Sequence, residues 1–359
     1  MQLLYTIAAF MMMCVCGHAV QLPDVHTHTH VWASLPDANV TFSYSFCCNE
    51  TSQMENVLSS IENLRFCFTD ILLILDVPHG GDKHGSKFPG GPGGYSEFLS
   101  STWGTQMIDT ASKTAQAAVA LLQSRCPLSL NGPLHPPTWK VEVLNYDEPA
   151  MRMALESDFG MDADAEGFIF SSMYPNTMVY DRLWHLPDTQ YVWHSDADIR
   201  VHRIAEGASP NFIEASTRLM RSDTRILSTS PSKVSLPDVI SKFDARWHRG
   251  EALSNTYTNP PYPWIPEAFL MDVQKAKSLL PFYDNPSSFL DDKAMRIEDI
   301  LERSCKAKGL NQVMLDCSTH VIAGYDFKGE VPDTVLPEIV GGLLSRAKSA
   351  CTTLPELLG

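Results

Sequence analysis

The chain has 359 residues, 44% of them apolar, with 27 Lys and Arg against 42 Asp and Glu and a formal charge of −15. That length is ample for a real hydrophobic core, in one large domain or two small ones. The acidic balance excludes a free nucleic-acid binder, which needs a basic footprint, and argues against charge-driven attachment to anionic lipid.

Residues Met1 to Cys16 are almost continuously apolar, and small residues at Gly17 and Ala19 suit peptidase cleavage after Ala19. The run falls short of the ~20 apolar residues of a membrane span. The expectation is a signal peptide over 1–19 and no stable transmembrane span. Two sequons, Asn39-Val40-Thr41 and Asn49-Glu50-Thr51, fit passage through the secretory pathway. The protein is therefore expected in the Golgi or ER lumen, or secreted, as a glycoprotein. Residues 20–39, with alternating His26, His28 and His30, read as a flexible mature N-terminus.

Of the nine cysteines, Cys14 and Cys16 would leave with the signal, so an odd number remains. Cys305 and Cys317 are close enough in sequence to bridge across one turn, and Cys47 or Cys48 could reach Cys67. No CxxC occurs, which disfavours a dithiol redox enzyme or a zinc ribbon.

Val40 to Cys48 mixes β-branched and aromatic residues and predicts a strand. Thr51 and Ser52 can cap a helix whose apolar face carries Met54, Val57, Leu58, Ile61 and Leu64. Ile71 to Leu75 is a short apolar run ending in Asp76. Strand, helix and strand together read as a βαβ unit of a buried parallel sheet, with Asp76 at the carboxyl edge where such sheets bind ligands.

Gly80 to Gly94 is a Gly- and Pro-rich loop without the spacing of a phosphate-binding loop. A helix over Thr110–Leu122, a strand over Lys140–Leu144, a short helix from Met151 and a helix over Asn176–Trp184 follow. In the last, Tyr180, Leu183 and Trp184 face inward. Asp158–Glu166 lacks the full pattern of a calcium loop.

Tyr191 to Val201 (YVWHSDADIRV) reads as a strand that terminates in an Asp-Ala-Asp step at the edge of the sheet. Two carboxylates delivered to the edge of a buried sheet call for a cation. Hard divalent ions such as Mn2+ or Mg2+ take oxygen ligands and keep positions for phosphate oxygens. Arg200, His202 and Arg203 follow directly and could neutralise a diphosphate, or form surface ion pairs. The acids of Ile297-Glu298-Asp299-Ile300-Leu301 suit the first turn of a helix as dipole partners, and equally a general base. His320 could be a ligand or a hydrogen-bonded structural residue.

These segments together resemble a nucleotide-sugar-dependent glycosyltransferase of the GT-A fold. VTFSYSFCCNE is similar to the first strand of such enzymes, DILLILD continues the pattern, and YVWHSDADIRV resembles the metal-binding strand with its DxD step. WIPEAFLM and DVQKAKSLLPF, from Trp264 to Phe282, resemble the acceptor side. The resemblance spans about Thr41 to Tyr325. It implies an α/β fold: a single GT-A-like domain over 40–330, with a mixed, mostly parallel sheet flanked by helices. The nucleotide half would cover about 40–203 and the acceptor half about 204–330, with a C-terminal helical tail at 331–359. It also implies a metal-dependent transfer of a sugar from a nucleotide-sugar donor to a hydroxyl of a glycan or glycoprotein. Asp196, Asp198 and His320 would hold Mn2+ or Mg2+, Asp76, Asp196 and Arg200 would meet the donor, and Glu298 or Asp299 would be the base.

Two other classes fit parts of the pattern. A metal-dependent phosphoester hydrolase also gathers acids and histidines, from Asp76, Asp147, Asp196, Asp198 and His320. A secreted carbohydrate-binding protein would use the aromatic faces of Tyr257, Tyr262 and Trp264 without turnover. A serine hydrolase is disfavoured because no GxSxG occurs.

Overall fold

Alternation along Val40–Phe46 sends Val40, Phe42, Tyr44 and Phe46 to one side and Thr41, Ser43 and Ser45 to the other, and only Ser45 is not fully buried. A strand covered on both faces belongs inside a layered α/β sheet. The computed structural model describes residues 32–46, 52–75, 95–126, 135–144, 153, 157, 173–185, 187–196, 199–203, 211–235, 268–280, 297–315 and 320–324. Side chains of 52, 95–97, 173–178, 202–203, 232–235, 297–300, 302, 314–315 and 320–324 are outside that description.

The elements in chain order are β1 (Val40–Phe46), α1 (Ser52–Leu64), β2 (Asp70–Leu75), α2 (Tyr95–Ser100), α3 (Thr102–Arg125), β3 (Thr138–Val143), α4 (Met173–His185), β4 (Tyr191–Ser195), β5 (Ile199–Arg203), α5 (Phe212–Ser222), β6 (Ile226–Ser235), β7 (Ala268–Asp272), α6 (Val273–Lys277), α7 (Ile297–Ala307), β8 (Asn311–Leu315) and β9 (His320–Gly324). Among the described residues, seven strands join in the order β3-β2-β1-β4-β7-β6-β8. Only β7 runs against its neighbours. The far half of β6 pairs with β9, and β9 pairs antiparallel with β5, making a small ribbon beside the main sheet. The α/β, mixed and mostly parallel architecture expected from the sequence is the one found.

The order sets where the chain reverses. From β1 the chain moves outward to β2 and β3, then returns to lay β4 on the other side of β1. Helices crossing in opposite directions with one hand lie on opposite faces. Accordingly α1 and α3 pack together on one face. On the other, Tyr180 of α4 stacks on Phe269 of β7 at 5.8 Å and the Trp184 indole N–H points at the Met271 sulfur, 3.3 Å away. The inward set Tyr180, Leu183 and Trp184 is buried as its spacing indicated.

Two local features differ from the sequence reading. The strand from Tyr191 ends at Ser195, at the Asp-Ala-Asp step as read, but Ile199–Arg203 adds a second strand, β5, which leaves the main sheet to pair with β9. The β-branched run Ile199–Val201 keeps its strand preference but changes partner. Its backbone is held by the polar side of α1: Ser60 Oγ accepts from Val201 N–H at 3.0 Å, and Asn63 Nδ2 donates to Val201 O at 3.0 Å. With the Arg200 side chain on Asn56, this explains why Asn56 and Ser60 are buried beside the apolar Val57, Ile61 and Leu64.

Residues 32–39, read from sequence as part of a flexible lead-in, are packed. Trp32 is buried, Ala33 N–H donates to Arg65 O at 2.9 Å, and Cys67 N–H donates to Ala33 O at 2.7 Å. Asp37 pairs with Arg221 at 2.9 Å, and Arg221 in turn donates to the Tyr191 hydroxyl. Arg221 holds the Asp37 carboxyl below its usual range, while burial pushes the Tyr191 phenol up.

Cys67 is bonded to Cys126, which ends α3. The expected bridge from Cys47 or Cys48 is therefore wrong: α3 packs against α1 and β2 and brings Cys126 to the start of β2. Cys317, the expected partner of Cys305, lies outside the described residues, as do 1–31 with the expected signal peptide and the histidine cluster, the Gly-rich loop, the calcium-like segment, Tyr257, Tyr262, Trp264 and the expected C-terminal tail. Among the described residues no helix is long and apolar enough to cross a membrane.

Candidate functional site

The parallel strands β1, β2 and β4 finish in register. Phe46 is opposite Leu75, and Tyr44 is opposite Ser195, so Ser45 and Asp196 emerge side by side at the carboxyl edge. This is the point between β1 and β4 where the chain reverses direction across the sheet, and open α/β sheets bind ligands in the crevice there. Asp196 is the described acid at that crevice, and its side chain is 45% exposed.

Alternation puts Val192, His194 and Asp196 on one face of β4, the face that also carries Ser43 and Ser45 of β1 and Phe269 of β7. His194 is 2% exposed. Its Nε2 lies 3.4 Å from Asp196 Oδ1 and 3.5 Å from Ser45 Oγ, and its Nδ1 lies 3.4 Å from Ser43 Oγ. The imidazole rests against Phe269 with centroids 5.6 Å apart. The carboxylate thus has a buried imidazole behind it and solvent in front.

The other expected residues are placed as follows. Asp198, like Asp76, lies outside the described residues. Arg200 is turned onto α1, where Nε donates to Asn56 Oδ1 at 3.0 Å and the guanidinium pairs with Glu55 at 3.0 Å. Its charge anchors β5 to the first turns of α1. His320 starts β9 opposite Arg203, whereas Gly324 stands opposite Ile199. The antiparallel register therefore sets His320 about 13 Å along the ribbon from the end of β5 that the Asp-Ala-Asp step enters. It does not bring His320 to Asp196.

Glu298 and Asp299 sit in the first turn of α7, with side chains outside the description. Leu310 N–H donates to Cys305 O at 2.7 Å, and Gly309 takes φ +66°, closing the turn from α7 into β8. Because β8 runs parallel to β6, and hence to β4, the last turn of α7 is at the amino edge. Packed on β8 and about 16 Å long, α7 returns its first turn to the carboxyl edge. Three strand spacings, about 14 Å, separate β8 from β4.

No group of three or more His, Cys, Asp or Glu side chains that could hold a metal ion stands together among the described residues. What they supply to a hard cation is one carboxylate, Asp196, half exposed in the crevice and backed by an imidazole, which is the donor chemistry such an ion takes. The residue sequence reasoning missed is His194. The signal was present in the strand alternation, which puts positions 194 and 196 on one face.

No family model and no curated protein sequence matches the chain. Among solved structures of the GT-A glycosyltransferase type, mouse xyloside xylosyltransferase 1 is similar at 10% identity and TM-score 0.37, over 79% of this chain and 86% of that one. GalNAc-T7, solved with UDP, GalNAc and Mn2+, is similar at 9% identity and TM-score 0.38 over 82% of this chain, which spans 45% of that protein's chain. Glucosyl-3-phosphoglycerate synthase from Mycobacterium tuberculosis, solved with Mn2+, UDP and phosphoglyceric acid, is similar at 11% identity and TM-score 0.36, over 87% of this chain and 79% of that one. Scores and identities this low carry nothing about chemistry.

Proposed function

We infer that the protein is a glycosyltransferase that takes a nucleotide-sugar donor together with Mn2+ or Mg2+ in the crevice between β1 and β4. The observation that carries this reading is Asp196, half exposed at the carboxyl edge where the sheet reverses, flush with Ser45. A divalent ion, when bound, draws negative charge from the donor diphosphate as it leaves.

The chain's own residues would divide the work. Asp196 supplies a hard oxygen at the crevice floor, with Asp198 as its partner in the step. β1 and β4 give the nucleotide a rigid wall. On this reading the first turn of α7 lies towards the same edge, over a strand three places from β4, and supplies the acceptor side. If the reaction inverts the anomeric centre, Glu298 or Asp299 would accept the proton of the acceptor hydroxyl as its oxygen attacks the anomeric carbon. The acceptor on this reading is a hydroxyl of a glycan or glycoprotein. The Cys67–Cys126 bond supports an oxidising compartment, the lumen of the secretory pathway or the exterior.

Calorimetry on metal-stripped protein, with a panel of nucleoside diphosphates and with or without Mn2+, tests the reading. Metal-dependent binding of one nucleotide that Asp196→Ala abolishes is the expected result. Folded protein that binds none of them, with or without metal, refutes it.

A further inference from the structure

His194 has no part in the chemistry above, yet it is a buried imidazole with a polar partner at each nitrogen. Nε2 faces both Asp196 Oδ1, at an ion-pair separation of 3.4 Å, and the Ser45 hydroxyl at 3.5 Å; a carboxylate can only accept, so a proton on Nε2 is the arrangement in which the ring and Asp196 attract. In the neutral ring Nδ1 is then the acceptor, and the Ser43 hydroxyl, 3.4 Å away and fully buried, is its donor. Ser43 O–H, His194 and Asp196 thus form one directional chain from the interior of β1 to the crevice.

The ring itself is fixed. Phe269 lies across it at 5.6 Å, and Tyr180 stacks on the far side of Phe269 at 5.8 Å. Helix α4 therefore presses on β7, and β7 on the imidazole. Only 2% exposed, His194 has no surface with which to meet a ligand directly. It can act on one only through Asp196.

We propose that His194 is the positioning residue for Asp196: its Nε2–H holds Oδ1 and leaves Oδ2 turned to the crevice as the cation ligand. This rests on the transferase reading for its consequence but not for its geometry. Groups that orient a ligating carboxylate change metal affinity by about 10- to 100-fold when removed. The side chain of a strand-end aspartate would otherwise sample several rotamers in solvent.

The test uses the full chain and two readouts. In the first, free Mn2+ is titrated by electron paramagnetic resonance in the presence of each of a panel of nucleoside diphosphates. His194→Leu is expected to weaken Mn2+–nucleotide binding at least about tenfold. His194→Gln, which returns an N–H donor near the Nε2 position, is expected to stay within a few-fold of the natural protein. Equal affinities for the natural protein and a folded His194→Leu overturn the proposal, as does a His194→Gln that falls as far as His194→Leu, which would mark a packing role. If His194→Leu fails to fold, Ser43→Ala takes its place: it keeps the packing and removes the donor to Nδ1, and unchanged affinity then counts against the chain.

In the second readout, 15N imidazole spectra at pH 8 report the tautomer with no metal present. The Nε2–H form in the natural protein, lost in Asp196→Ala, is expected. An Nδ1–H form overturns the proposal. Failure of the natural protein to bind any Mn2+–nucleotide pair, with the Nε2–H tautomer intact, would sink the transferase reading and leave the positioning of Asp196 standing.

Discussion

Breaking the Cys67–Cys126 bond is expected to cost the fold about 4 kcal/mol. The two cysteines are 59 residues apart in sequence, and the closed loop contains β2, α2 and all of α3. Closing a loop of that length in the unfolded chain removes roughly 14 cal/mol/K of entropy, which is ~4 kcal/mol at 25 °C. Both cysteines are 5% exposed, so each alanine adds a packing loss to that of the bond, small beside it because a single sulfur is removed. With a urea m-value of about 3 kcal/mol/M, the midpoint of unfolding should fall by more than ~1 M in Cys126→Ala. The fluorescence of Trp184 and Trp193, both fully buried, follows the transition. Cys67→Ala should shift it equally, and the double variant no further, since one bond is lost in each. Superimposable curves for Cys126→Ala and the natural protein would refute this. A shift in Cys47→Ala instead would restore the pairing that sequence proximity first suggested.

Two further outcomes follow from named contacts. Asn211 caps α5 through Ile213 N–H at 2.9 Å, and its Nδ2 also donates to the carbonyls of Leu64 and Arg65 at the end of α1. Asn211→Ala should therefore cost about 2–4 kcal/mol, the cap plus a buried carbonyl left unpaired. Asn211→Asp should lose comparable stability in urea melts, although aspartate caps as well as asparagine, because a carboxylate cannot donate to those carbonyls. An Asn211→Asp melt matching the natural protein would show that the contact to α1 carries nothing.

Asp223 is lowered from 3.8 to about 2 by the Arg225 side chain, with help from the Arg225 backbone N–H. A depressed folded-state value means a stabilisation present above 3.8 and lost as the pH falls towards about 2. Asp223→Asn should lack that part of the acid sensitivity, so the two melting-temperature curves converge between pH 4 and 2. Curves that stay parallel would deny the linkage.

The sheet was legible in the sequence because its buried strands are short apolar runs with clear boundaries. ILLIL, YVWHS and the alternation of VTFSYSF each announce a covered strand, and the inward side of α4 follows from Tyr180, Leu183 and Trp184. What escaped was tertiary in origin. The end of β4 at the Asp-Ala-Asp step was legible, but the second strand was not, because the partners of Ile199–Val201, β9 and the side chains of α1, are set by tertiary packing. Asn56 and Ser60 look like a solvated helix face until β5 lies on them. The partner of Cys67 could not be chosen by proximity, since the packing of α3 selects it.

The site was legible in part. Asp196 stands at the carboxyl edge as its strand context implied. Arg200 was read as a diphosphate partner or as a member of an ion pair, and the structure has it paired with Glu55 and bonded to Asn56. His320 was matched to the acids by resemblance, and the antiparallel register of β5 and β9 sets it at the far end of the ribbon.

Hydrogen exchange read by mass spectrometry places the nucleotide most directly. Metal-stripped protein is compared with and without Mn2+ plus the nucleoside diphosphate that calorimetry selects. Protection confined to the carboxyl ends of β1 and β4, around Ser45–Phe46 and Ser195–Ile199, and absent in Asp196→Ala, is the expected result. Protection elsewhere on the chain, or an unchanged pattern at that edge, would contradict a nucleotide crevice between β1 and β4.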